Sequence, residues 1–126
     1  MALKILNIEF PLYYDQLDKD NGNMDVFVKL EDGMTYTMVV STPNNYYWYM
    51  DKEGLDYIPA SPPDIIVRNL HQDNVRKAIE TFVQEKAYWL KLYFLAGKDH
   101  GAFDIKLMDK MVEEIKRTKE EIFGSE

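Results

Sequence analysis

Residues 24–41, MDVFVKLEDGMTYTMVVS, decide the fold, because they read as two strands joined at Glu31-Asp32-Gly33. A type I turn closed there by a glycine at positive φ pairs Leu30 with Met34, Val28 with Tyr36, Val26 with Met38, and Met24 with Val40. Every pair is apolar, so one face of the hairpin is built to be covered. A two-residue loop at Asp32-Gly33 would set Val28 against Thr37 and Phe27 against Met38, mixing the faces, so the side-chain pattern selects the register. The hairpin is then the sheet on which later helices pack.

On its N-terminal side, residues 3–10 alternate as a strand with Leu6, Ile8 and Phe10 on one face, and Pro11 ends it or marks it as an edge. Residues 15–23, DQLDKDNGN, are turn formers and carboxylates, an exposed loop. On the C-terminal side, Thr42-Pro43 reads as an N-cap with proline at the first helical position, opening a short aromatic helix over residues 43–52 that stops at Gly54. Tyr46, Tyr47, Trp48 and Tyr49 are consecutive in it. Four neighbours on a helix cover more than one face, so at least one ring should stay partly wet. Residues 57–63 form a proline-rich connector, and the β-branched run near 64–68 is a further strand beside the hairpin.

Asp73 is expected to cap a long helix to about Ala96, with Val75, Ile79, Phe82, Trp89, Tyr93 and Phe94 on its apolar stripe. A last helix is expected over about 104–123, where Ile105, Met108, Val112, Ile115 and Ile122 recur at three and four residues; packing on the preceding helix is expected for it. Strands come early and helices late. That order predicts an α+β domain, a small antiparallel or mixed sheet packed on two C-terminal helices.

The 126 residues make a single domain, 1–126, large enough for its own core at 46% apolar and 13% aromatic composition. Without cysteine, thiol catalysis, thiolate metal sites and disulfides are excluded. The segment MALKILNIEFPLYYD carries an acid and a proline where a signal peptide needs an apolar run, so the cytoplasm is the expected location. Net charge is −7, and residues 1–63 hold four lysines against ten carboxylates while residues 64–126 are nearly balanced. Such a field repels nucleic acid and anionic membranes and favours a basic protein partner.

Catalytic signals are sparse. HExxH, GxSxG, Walker A and GxGxxG patterns do not occur, and there are two histidines. In GKDHG, His100 beside Asp99 is the one acid-base pair the chain offers, although a polar histidine in a glycine-rich connection needs no catalytic role. His71 with Asp73 falls short of the three or four ligands zinc takes. Asp15, Asp18, Asp20 and Asp25 do not make an EF-hand: counted from Asp18, the glycine is fifth rather than sixth and the twelfth residue is Lys29. Neither metal nor cofactor is expected. The run Tyr46, Tyr47, Trp48 and Tyr49 with Asp51, Glu53 and Asp56 nearby has the composition of a protein interface, set against the plainer reading that these rings cap the core.

In size, acidity, lack of cysteine and α+β order, over its whole length and with no single motif, the chain resembles the small acidic bacterial immunity proteins that partner polymorphic or contact-dependent toxins. The resemblance implies an inhibitor that covers a basic partner. The residues themselves point the same way, to a non-catalytic protein-binding module. The alternative is a small enzyme or small-molecule-binding protein with a sheet–helix pocket near Asp99 and His100, and a homodimer through residues 89–95, from Trp89 to Leu95, is a third option.

Overall fold

The structure, a computed structural model, describes residues 3–98 and 105–123. Its elements in chain order are strand β1 (Ile5–Glu9), a 3-10 turn (Tyr14–Gln16), β2 (Asn23–Leu30), β3 (Thr35–Ser41), helix α1 (Pro43–Glu53), β4 (Ile65–Ile66), α2 (Gln72–Phe82), α3 (Gln84–Lys98) and α4 (Ile105–Phe123). The class is α+β. The sheet is mixed, in the order β1-β2-β3-β4: the first three strands are antiparallel, and β4 runs parallel to β3.

The hairpin has the register its side chains demand. Met24 faces Val40, Val26 faces Met38 and Val28 faces Tyr36. The turn closes with the Gly33 N–H donating to the Leu30 carbonyl at 3.1 Å, and Gly33 has φ 87°, a conformation open to glycine without a Cβ penalty. Asp32 reinforces it, accepting from the Met34 N–H at 2.9 Å and from the Tyr36 hydroxyl at 2.7 Å. Those two hydrogen bonds, the backbone one first, hold the Asp32 carboxyl below its ordinary pKa.

Along β1 the expected face is wrong at one residue. Leu6, placed inward with Ile8 and Phe10, lies in solvent, and Ile5 packs against the core instead. The β1–β2 register shifts between Ile5 and Asn7, and the extra residue reverses the alternation locally.

Met24, Val26, Val28, Leu30, Met38 and Val40 present one covered face, closed by Ile65, Leu70, Val75, Ile79, Val83, Ala87 and Leu90. The single helix expected from Asp73 to Ala96 is in fact two. His71 occupies the N-cap position and makes no side-chain cap, while Asp73 sits within the first turn of α2, where a carboxylate still suits the positive end of the helix dipole. At the start of α3, Glu85, Lys86 and Ala87 have φ of 54°, 59° and 60°, left-handed for three residues in succession. Each such non-glycine residue costs about 1–2 kcal/mol. A straight rod would carry its second half off the sheet, whereas the bend lays α3 against both α2 and β3 and buries Val83, Ala87 and Leu90 completely. Burying one leucine is worth roughly 1.5–3 kcal/mol, enough with its neighbours to offset the strain.

Helix α4 departs from expectation differently. Residues 105–122 are all exposed, so its apolar stripe does not pack on α3. No helix among the described residues is long and apolar enough to cross a membrane.

Candidate functional site

Helix α1 begins where β3 ends, and one buried side chain makes the join. The Thr42 hydroxyl oxygen accepts from the Asn45 N–H at 3.3 Å, capping the helix, and from the Gly22 N–H at 3.1 Å; the Thr42 N–H donates back to the Gly22 carbonyl at 3.1 Å. Pro43 follows with φ already suited to a helix, and Gly54 ends it at φ 68°. The helix is therefore locked at its start to the loop before β2.

Its aromatic run is divided between two faces. Tyr46 turns inward: its hydroxyl donates to Asp64 Oδ2 at 2.8 Å, and the Ser41 hydroxyl donates to the same oxygen at 2.7 Å. Burial first, and then that bond to a carboxylate, push the Tyr46 phenol up to about 12. Tyr49, three residues on, lies on the same side. Asn23, Ser41, Tyr46, Tyr49, Ile58 and Asp64 line a cleft of about 260 Å³ between α1 and the connector.

Tyr47 and Trp48 face outward, 64% and 48% exposed. Lys52, one turn later, holds its ammonium 5.0 Å from the Trp48 ring centre. Asp51, Glu53 and Asp56 are exposed, and Tyr57 and Ile58 extend the apolar surface into the connector. No residue of α1 is buried. The sequence-derived interface residues thus split into an anchor, Tyr46 with Tyr49, and an outer face, Tyr47 and Trp48 among carboxylates.

Sequence reasoning missed Ser41 and Asp64. They are 23 residues apart and meet because β4 lies parallel to β3, with Ser41 opposite Ile66. Only that strand pairing would have revealed the contact. Asp64 Oδ2, accepting from both Ser41 and Tyr46, ties helix α1 to the end of β3.

A second cleft, of about 430 Å³, lies between β3 and α3, lined by Thr37, Met38, Val39, Tyr93, Phe94 and Gly97 among others. Asp99 and His100 lie outside the described residues. His71 is exposed, as are Asp15, Asp18, Asp20 and Asp25, and among the described residues no three His, Asp or Glu side chains gather as a metal ion would require. In the segment from Trp89 to Leu95, Trp89 and Leu95 are exposed while Leu90 is fully buried. Compared with known proteins, the chain matches no family model, no curated protein and no solved structure.

Proposed function

We propose that this protein is a non-catalytic protein-binding module that meets a basic partner with the outer face of α1, in the manner of an immunity-type inhibitor of a toxin. The observation that carries the reading is a helix with no buried residue whose Tyr47 and Trp48 stand in solvent beside Asp51, Glu53 and Asp56. Aromatic side chains supply most of the energy of a typical interface, and surrounding carboxylates steer a basic surface toward them. Because the Thr42 cap and the Tyr46–Asp64 bond fix α1 from behind, the outer rings are presented with little ordering left to do on binding. The excess of carboxylates over lysines in residues 1–63 supports the choice of a basic partner.

The test is affinity capture from the native cell with the whole chain and with the Tyr47→Ala, Trp48→Ala double variant. A basic protein is expected, retained less firmly as salt is raised and at least tenfold depleted by the double variant. Capture of a partner indifferent to both changes would sink the proposal.

The cleft between β3 and α3 favours a second reading, as a small enzyme or small-molecule-binding protein, because it ends at Gly97, two residues before Asp99. A metabolite that raises the melting temperature of the whole chain, with the rise lost in His100→Ala, is the expected sign. An unmoved melting temperature across a metabolite panel would remove this option.

A further inference from the structure

Helix α4 has 19 residues and an apolar stripe that none of the described residues covers: exposure along it runs from 39% at Met108 to 68% at Ile122. Most of the stability of a helix in a protein comes from packing its apolar face rather than from propensity, so such a stripe calls for a partner. Its spacing is a strict heptad. Ile105, Val112 and Lys119 occupy one seam position, and Met108, Ile115 and Ile122 the other.

Charge placement chooses the occupant. Asp109 and Lys116 border the seam on one flank, seven residues apart, and Met111 and Thr118 border the other. Set two copies antiparallel with Val112 beside Ile115 of the second copy. Ile105 then stacks on Ile122, and Met108 meets Lys119, whose methylene stem completes the layer while its ammonium reaches water. In the same register Asp109 faces Lys116 of the second copy, and two-fold symmetry makes that pair twice. A parallel arrangement instead stacks Lys119 on Lys119 and sets Lys116 against Met111. The stripe is complementary to itself in one direction only.

We propose that α4 is a self-association element that pairs antiparallel with α4 of a second copy through this seam. The seam is short, three residues at each of its two positions, so the dimer is expected to exchange with monomer. It uses a surface separate from the outer face of α1.

Sedimentation of the whole chain from about 1 to 300 μM should show a mass rising toward twice that of the monomer. Ile115→Glu should abolish the rise while leaving the circular dichroism of the sheet unchanged, because Ile115 touches nothing in the monomer's core. Asp109→Lys and Lys116→Asp should each weaken dimerisation about tenfold, and the two together should restore it. The cysteine-free chain allows direction to be read as well: Ile105→Cys mixed with Ile122→Cys should oxidise to the mixed disulfide. A monomer at every concentration, a dimer indifferent to Ile115→Glu, or disulfides forming only between identical variants would each overturn the proposal; in the second case a dimer lost in Trp89→Ala would place the contact on α3.

Discussion

Helices α2 and α4 both repeat apolar residues at three and four positions, yet they end in opposite surroundings. In α2, Val75 and Ile79 are completely buried beneath the sheet-facing core; in α4, Ile105, Val112, Ile115 and Ile122 all stand in solvent. Helix α1 falls between the two. It buries no residue, and polar contacts from Thr42 and Tyr46 fasten it instead. Periodicity states that a helix has an apolar face. What covers that face depends on the rest of the fold, and α2 is covered because Val75 and Ile79 pack into the core shared with β2 and β3.

The sharpest break in this comparison is a pair of truncations. Ile79→Ala should lower unfolding free energy by about 2–5 kcal/mol, as loss of a packed aliphatic side chain does. Ile115→Ala, measured at concentrations where the chain is monomeric, should move it by less than about 0.5 kcal/mol. Equal losses in a denaturant titration would place α4 inside the core.

Next in size is the polar fastening of α1. Thr42→Ala removes the helix cap and leaves the buried Gly22 N–H without its hydroxyl acceptor, an expected loss of about 2 kcal/mol. Thr42→Ser keeps the oxygen and should recover most of it. A loss no larger for alanine than for serine would show that packing, not the hydroxyl, holds the helix.

The bend between α2 and α3 gives a smaller effect of opposite sign. Lys86 is exposed at φ 59°, so Lys86→Gly should relieve left-handed strain and raise stability by about 1 kcal/mol. Destabilisation by about 1 kcal/mol, the usual penalty for glycine inside a right-handed helix, would mean that the chain there runs straight.

The last effect is read in alkali. The Tyr46 phenol is held up to about 12 against an ordinary 10.0, so the folded state keeps its proton while the unfolded state loses it. The stability this contributes is complete below pH 10 and is lost as pH rises from there toward about 12. An ultraviolet titration should show late-ionising tyrosine, reduced in Tyr46→Phe; Tyr36, raised to about 12 by burial and by Asp32, and Tyr14, raised by burial first, remain as the other late groups. An unchanged late component in Tyr46→Phe would show that Asp64 does not hold this ring.

Much of this fold was legible residue by residue, wherever the deciding contacts are local. The hairpin register follows from strict alternation about Gly33, and α1 follows from Thr42-Pro43 at one end and Gly54 at the other. The misreadings all involve distant contacts. Leu6 was misplaced because a shift in pairing with β2 reversed its face, and nothing within residues 3–10 announces that shift. Glu85, Lys86 and Ala87 are good helix formers, so the break there has no local signal; it arises because covering Ala87 and Leu90 outweighs three strained residues. In the candidate site, the wetness of part of the aromatic run was readable from helix geometry. The division into inward Tyr46 and outward Trp48 was not, since it depends on Asp64.

The amino-acid order by itself determined the α+β class, the hairpin register and the ends of α1, because alternation, capping and glycine geometry act within a few residues. Only the tertiary structure decided that the chain bends after α2, that Ser41 and Tyr46 meet on Asp64, and that no described residue covers the α4 stripe. Those outcomes rest on burial shared between segments far apart in the chain, and burial belongs to the assembled fold rather than to any one stretch of it.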